Sequence, residues 1–368
     1  MKELSLLIKP VSGLCNMRCI YCFYADVADR RQIRSYGRMS RDTVKGILHS
    51  LCGDLSQGDV LGIAFQGGEP TLAGIDFYRD FFAAADEWLP DIAVRWSFQT
   101  NGLLLNTEWC RLFRERKVLV GLSVDGPPGT HNAQRPDLAG KGSYQRVHAA
   151  MELLRRSGVE YNILTVLTTE TARHPAAVWN WMVREKIRYV QFIPCLDPLD
   201  GKPASSCALT PSRFRDFYRR LFPLWKQGME QGQVISIKLF DDLVNLYAFG
   251  HATACGITGK CSVQYVVEAN GDVFPCDFYA LDPYRMGSLL NAGPSSLADA
   301  AAPFLAVGEG HPRELPCRGC RYEKSCGGGC RRMRDRIYLE NGVCCYAGLL
   351  DDILPQLLRF AQSWVSGQ

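Results

Sequence analysis

No stretch of this chain approaches the ~18 consecutive apolar residues that a membrane span needs. The first ten residues, Met1-Lys2-Glu3-Leu4-Ser5-Leu6-Leu7-Ile8-Lys9-Pro10, hold too short an apolar run for a signal peptide, and no small-residue cleavage site follows. There is no long basic run and the net charge is only +4, which argues against nucleic acid as the main partner. No Cys-x-x-Cys-His haem-attachment motif, low-complexity tract or internal repeat beyond strand–helix units is present. These absences point to the cytoplasm, where structural disulfides are rare. What the chain has in quantity is cysteine, 16 in 368 residues. In a cytoplasmic chain such cysteines read as metal ligands rather than bridges.

The length exceeds the ~250–300 residues at which a single core stops growing, so one large domain and a smaller one are expected. Short apolar runs at Leu4–Ile8, Val60–Phe65, Val94–Phe98, Val118–Leu122, Ile163–Leu167 and Tyr189–Ile193 read as strands. Between them lie helical patterns: Val44, Ile47, Leu48 and Leu51 behind a capping Ser40, then Phe77–Trp88, Glu108–Arg116, Val147–Leu154 and Trp179–Glu185. Such alternation implies a parallel α/β sheet with crossover helices, open or closed into a barrel, with sites at the carboxyl ends of the strands. Two helices, Phe214–Lys226 and Asp241–Phe249, follow a loop at Lys202–Ser206. From Cys255 the periodicity lapses and cysteines crowd; Val263–Glu268 and Asp272–Phe274 read as a hairpin about Asn270-Gly271. Leu349–Trp364 reads as a closing helix.

The first strand leads directly into Cys15-x3-Cys19-x2-Cys22. A thiol-only set selects zinc or an iron–sulfur cluster over hard cations. Structural zinc closes a tetrahedron with four ligands, whereas three cysteines on a four-iron cluster leave one iron open. With Tyr21 before the last cysteine, the motif resembles the signature of radical S-adenosylmethionine (SAM) enzymes. That resemblance implies a partial (β/α)6 barrel and an open iron that chelates SAM and cleaves it to a 5′-deoxyadenosyl radical. Gly67-Gly68-Glu69-Pro70, after the second strand, resembles the family's GGE motif, with Gly68 at the SAM amino group. Ser123 and Arg135 are the candidates for the ribose and carboxylate, Leu196 for packing on adenine, and the Tyr21 backbone for the adenine edge.

A second cysteine field runs Cys255, Cys261, Cys276, Cys317-x2-Cys320-x5-Cys326-x3-Cys330 and Cys344-Cys345. By pattern alone a pair of zinc ribbons is the rival. The spacing resembles the SPASM extension of protein- and peptide-modifying radical SAM enzymes. The resemblance assigns Cys255, Cys261, Cys276 and Cys330 to one auxiliary cluster, and Cys317, Cys320, Cys326 and Cys345 to another. With the first, that makes three [4Fe-4S] clusters. Spacing does not choose between Cys344 and Cys345. Cys52, Cys110, Cys195, Cys207 and Cys344 are left as packing residues. The expected division is 1–240 for the barrel with its connecting helices, 241–345 for SPASM and 346–368 for the last helix.

Several stretches further resemble anaerobic sulfatase-maturating enzymes: Ser5-Leu6-Leu7-Ile8-Lys9-Pro10, Tyr21-Cys22-Phe23-Tyr24, Phe65-Gln66-Gly67-Gly68-Glu69-Pro70-Thr71-Leu72-Ala73-Gly74, Gln99-Thr100-Asn101-Gly102, Gly121-Leu122-Ser123-Val124-Asp125-Gly126-Pro127, Cys195-Leu196-Asp197-Pro198 and Pro275-Cys276-Asp277-Phe278-Tyr279. The alanine-rich spacer Pro294–Pro303 has no counterpart in the resemblance. That family oxidises Cys or Ser in a Cys/Ser-x-Pro-x-Arg motif of a sulfatase to Cα-formylglycine. The chemistry needs a base, an electron acceptor and a peptide cleft. Asp277, next to cluster ligand Cys276, is the candidate base, its carboxylate disfavoured by cluster charge and partial burial. Tyr24 and Gln66 are the candidates for holding substrate. The implied partners are an unfolded or nascent sulfatase polypeptide and a low-potential electron donor such as a flavodoxin or ferredoxin. The protein is expected to be a cytoplasmic monomer that binds neither nucleic acid nor membrane. The alternative is a SPASM maturase of a ribosomally made peptide, forming thioethers, carbon–carbon crosslinks or epimers. Such enzymes often carry an N-terminal leader-binding domain, for which this chain leaves no room. A non-catalytic zinc or iron–sulfur protein would leave Gly68, Ser123 and Asp277 without purpose.

Overall fold

The computed structural model describes residues 2–199, 207–309 and 315–366. The loop expected at Lys202–Ser206 lies outside them. The strands are β1 (Glu3–Ile8), β2 (Val60–Phe65), β3 (Ala93–Thr100), β4 (Leu119–Ser123), β5 (Tyr161–Leu167), β6 (Tyr189–Pro194), β7 (Ser236–Ile237), β8 (Val266–Val267), β9 (Asp272–Phe274), β10 (Gly287–Ser288), β11 (Leu339–Glu340) and β12 (Val343–Cys344). Each of the six expected N-terminal strands is present, and helices separate them. Among the described residues no helix is long and apolar enough to cross a membrane.

The chain forms two compact units. The first takes residues 1–123, 135–161 and 262–306. Its strands lie in the order β10-β9-β8-β1-β2-β3-β4. From β8 to β4 they run parallel, so the carboxyl ends of β1 to β4 share one edge. β8 and β9 form the expected hairpin; β9 has its expected bounds and β8 is shorter, with Glu268 to Gly271 making the turn: Gly271 N donates to Glu268 O, with Gly271 at φ +87°. β8 pairs with β1, and residues 262–306 fall in the first unit.

The register aligns Ile8 with Phe65, Phe65 with Phe98 and Phe98 with Val120, and all four are buried. Phe65 meets Tyr78 and Phe81 of the helix Ile75–Trp88 edge-on, at 5.0 and 5.1 Å between ring centroids. Side chains alternate along strands. The next residues, Lys9, Gln66 and Gln99, are therefore directed away from that helix layer. Apolar positions build the core, and the polar residue beyond each is delivered to the opposite face. The helix Arg41–Asp54 begins at the expected cap, where Ser40 Oγ accepts from Thr43 N. The alanine-rich spacer forms helical turns from Pro294 onward and buries Leu297 and Ala301, followed by the buried Phe304.

The second unit takes 124–134, 162–261 and 307–368. Within it β6 pairs parallel with both β5 and β7. The 20-residue helix Pro211–Glu230 packs on the closing helix Cys345–Ser366 through Trp225 and Phe360 and an Arg215–Asp352 ion pair. That last helix starts four residues before its expected first residue, directly after Cys344.

Phe65→Ala removes the ring at the centre of the aromatic layer. The expected loss is about 3–5 kcal/mol, read as a lower urea midpoint with unchanged slope.

Candidate active site

The three-thiol loop leaves the carboxyl end of β1 and enters the helix Phe23–Asp29. Its backbone is pinned to neighbouring segments of the first unit. Glu69 N donates to Leu14 O at 2.7 Å, and Arg18 N to Pro136 O at 3.0 Å. Gly68 adopts φ +52°, and a Cβ there would strike the Leu14 carbonyl. This glycine is thus required by the cysteine loop itself. The buried Glu69 carboxylate accepts from Thr71 N, Thr71 Oγ1, Thr100 Oγ1 and Asn101 N, locking the loop after β2 to the end of β3. Burial outweighs those bonds and raises its carboxyl above the ordinary value. Asn101 Nδ2 then donates to Asn16 Oδ1 at 2.7 Å inside the cysteine loop.

The Cys15 thiol is pushed up to about 12 by burial, eased by a hydrogen bond from Met17 N and raised further by Glu69, Cys19 and Cys22. Crowded thiols that oppose one another's ionisation suit a positively charged centre. Three thiols on one loop are the soft donor set that fits an iron–sulfur cluster, where each cysteine takes its own iron.

The candidates for SAM are distributed as follows. Ser123 ends β4, and its Oγ accepts from Gln99 Nε2 at 2.9 Å. Arg135 is buried, and its Nη1 donates to Tyr21 Oη at 2.8 Å. Both join Gly68 and Tyr21 in the first unit, where β2 and β4 end on the edge from which the cysteine loop departs. Leu196 belongs to the second unit, two residues past β6.

Asp277 lies on a short turn, Asp277–Tyr279, and is buried. Phe278 meets Phe23 edge-on at 5.1 Å, which seats this turn against the residue following Cys22. Tyr24 Oη donates to Asp277 Oδ2 at 2.6 Å, and Gln66 Nε2 donates to Tyr24 Oη at 2.6 Å. Desolvation, then the Asp277 charge and hydrogen bond, push the Tyr24 phenol well above its ordinary range, so it stays protonated as the donor. The three residues expected from sequence as base and substrate holders form one hydrogen-bonded cluster. Sequence reasoning missed the charges behind them. Lys9 Nζ sits 2.8 Å from Asp277 Oδ1 and 3.5 Å from Glu268 Oε1, and Arg31 Nη2 lies 2.7 Å from Glu268 Oε1. Burial alone would raise Glu268, but Lys9 and Arg31 outweigh it and hold its carboxyl below the ordinary value. The available signal was a lone cation directly after the apolar run Leu4–Ile8.

In the second unit, one pocket is lined by Cys317, Cys320, Cys326 and Cys344. Burial pushes Cys326 up to about 12, and Cys344, Cys317 and Cys320 raise it further. Cys345 is buried on the first turn of the closing helix, beside Glu340 and Arg215, and does not line that pocket. Strand β12 turns its last side chain to the thiols, and the helix start carries the next one away. Cys344 is therefore no packing residue. Cys255, Cys261 and Cys330 are neighbours, with Cys330 N donating to Gly256 O at 3.0 Å. Cys276 belongs to the first unit. Cys110, Cys195 and Cys207 are buried as expected of packing thiols, whereas Cys52 is exposed.

A sequence model of the radical SAM superfamily matches residues 10–181. With the three-thiol loop at a parallel sheet's carboxyl edge, this defines a radical SAM enzyme. The chain is 38% identical over 91% of its length to the cysteine-type anaerobic sulfatase-maturating enzyme of Clostridium novyi, 90% of which it covers. The cysteine-type enzyme of Clostridium perfringens is 38% identical over 99% of this chain and 100% of its own. The chain belongs to the anaerobic sulfatase-maturating enzymes. The serine-type enzyme of Klebsiella aerogenes is 28% identical over 97% of the chain and 87% of its own. The solved structure of native anSMEcpe with bound AdoMet superposes with a TM-score of 0.89 at 35% identity, over 98% of this chain and 99% of that one. Another contains the same protein with AdoMet and the Cp18Cys peptide, at a TM-score of 0.88, 34% identity and the same coverage. The family thus implies an iron–sulfur cluster and SAM as cofactors.

Gly68→Ala is expected to cost about 1–2 kcal/mol from the left-handed backbone alone, and to push the Leu14 carbonyl aside. Iron and sulfide bound per reconstituted chain should fall. Gly129→Ala, with no atom near the new Cβ, should leave both unchanged.

Proposed function

We propose that this protein oxidises a cysteine within a Cys-x-Pro-x-Arg segment of an unfolded sulfatase to Cα-formylglycine. The observation that carries the choice of cysteine is the gap between 38% identity to cysteine-type relatives and 28% to a serine-type one. Cys15, Cys19 and Cys22 would hold the SAM-binding [4Fe-4S] cluster, with Tyr21, Gly68, Ser123, Arg135 and Leu196 about the SAM. When bound, the two supply a carbon-centred radical able to take a hydrogen from the substrate Cβ. Asp277 acts as base toward the substrate thiol proton. Tyr24, itself held by Gln66, directs Asp277 Oδ2 and keeps its own proton. Gln66 and Tyr24 offer polar groups to the substrate backbone. Cys255, Cys261, Cys276 and Cys330 would hold one auxiliary cluster. Cys317, Cys320, Cys326 and Cys344 would hold the other, within an auxiliary module at 241–345. Fully ligated clusters suit electron acceptance, with burial and hydrogen bonds to sulfur setting their potentials. A flavodoxin or ferredoxin in the cytoplasm is the electron donor of this reading, and the working unit is a monomer.

The test is anaerobic incubation with SAM, reductant and paired peptides, Cys-x-Pro-x-Arg and Ser-x-Pro-x-Arg, read by mass spectrometry with hydrazide trapping. The cysteine peptide should gain an aldehyde at least tenfold faster than the serine peptide. Asp277→Asn should cleave SAM and give no aldehyde. SAM cleavage by the unaltered enzyme without aldehyde on either peptide would discard the reading. For the auxiliary site, Cys344→Ala should lose close to four irons per chain, while Cys345→Ala keeps them; the reverse outcome would restore Cys345 as the ligand.

A further inference from the structure

We propose that Lys9 is a positioning residue for Asp277, held in place for that task by Glu268; the inference rests on reading Asp277 as the base. Lys9 is 2% exposed, so its ammonium has left water and must be satisfied by protein. Two carboxylates do this, Asp277 at 2.8 Å and Glu268 at 3.5 Å. Glu268 is itself fixed: Ser12 Oγ donates to its Oε2 at 2.8 Å, and Arg31 Nη2 donates at 2.7 Å to Oε1, the oxygen that faces Lys9. The ammonium therefore cannot follow Asp277 if that residue turns. Asp277 is held at three points: an ion pair with Lys9 at Oδ1, an oxygen that accepts no hydrogen bond from the described residues; a hydrogen bond from Tyr24 at Oδ2; and Gln264 Oε1 accepting from its backbone N at 3.1 Å. With both oxygens engaged, the carboxyl plane is set. With Lys9 Nζ removed, one oxygen is unheld and the group can rotate. Orientation at this level decides whether a base meets its proton.

The surrounding sequence is built to admit this lysine. Gly67 adopts φ +85°, and a Cβ there would lie 2.6 Å from Lys9 Cγ and 2.9 Å from Cδ. The first glycine of the Gly67-Gly68 pair thus makes room for the lysine stem, as the second makes room for Leu14. The Nζ also stands 4.9 Å from the centre of the Tyr24 ring, a cation–π contact with the residue that grips the other oxygen.

The test uses the full chain with its clusters reconstituted. Lys9→Met keeps the stem beneath Gly67 and removes the charge. Iron content, the Kd for the cysteine peptide without reductant, and KM are expected to stay within about twofold. Aldehyde formation should fall at least tenfold in kcat, with more 5′-deoxyadenosine released per aldehyde. If Lys9→Met fails to take up iron, Lys9→Met/Glu268→Gln removes the orphaned carboxylate as well and is judged by the same criteria. A wild-type ratio of aldehyde to 5′-deoxyadenosine in Lys9→Met, alongside an Asp277→Asn that makes no aldehyde, overturns the inference and leaves the base reading standing. An Asp277→Asn that makes aldehyde at the normal rate overturns the base reading, and the inference with it.

Discussion

Four buried charged groups, Lys9, Arg31, Glu268 and Asp277, have to neutralise one another because water does not reach them. Charges removed from water are tolerated only when paired and hydrogen-bonded, and removing one partner strands the others. This requirement brings four remote segments together: the end of β1, the residues after the first helix, the β8–β9 turn and the turn after Cys276. It also explains why β8 leaves the cysteine-rich part of the chain and joins β1. The candidate base is thus tied, through Lys9, to the strand that leads into the three-thiol loop.

A second buried carboxylate organises the other side of the loop. Glu69 collects four donors from Thr71, Thr100 and Asn101, while its own N–H holds the Leu14 carbonyl. The Gly-Gly-Glu motif is therefore a structural brace for the cysteine loop as well as a candidate SAM contact. Its two glycines have separate reasons to lack a side chain. One lies over the Lys9 stem and the other against the Leu14 carbonyl. Such crowding makes the motif intolerant of substitution before any ligand is considered.

The likeness of fold extends beyond the sulfatase-maturating enzymes. Streptococcus suis SuiB bound to its precursor peptide superposes with a TM-score of 0.63 at 16% identity over 93% of this chain. At that identity the shared feature is the scaffold. A scaffold can exchange its site residues without changing its sheet, so the fold by itself does not fix the chemistry.

By itself the sequence determined the strand–helix alternation and the two cysteine fields, and it singled out Asp277 as a candidate. Period-2 and period-3.6 patterns are local, cysteine spacings are local, and Asp277 stands beside a cysteine in a recognisable stretch. Ser40 as a cap and Val60–Phe65 as a strand were legible for the same reason. Only the tertiary structure decided what depends on side-chain direction or on distant partners. Cys344 rather than Cys345 faces Cys317, Cys320 and Cys326, because the chain changes from strand to helix between them and adjacent side chains diverge. Lys9 meets Asp277 because β1 ends beside β8, a pairing across more than two-thirds of the chain that no local pattern encodes. A buried lysine reads in sequence as a surface cation until the fold supplies its carboxylates.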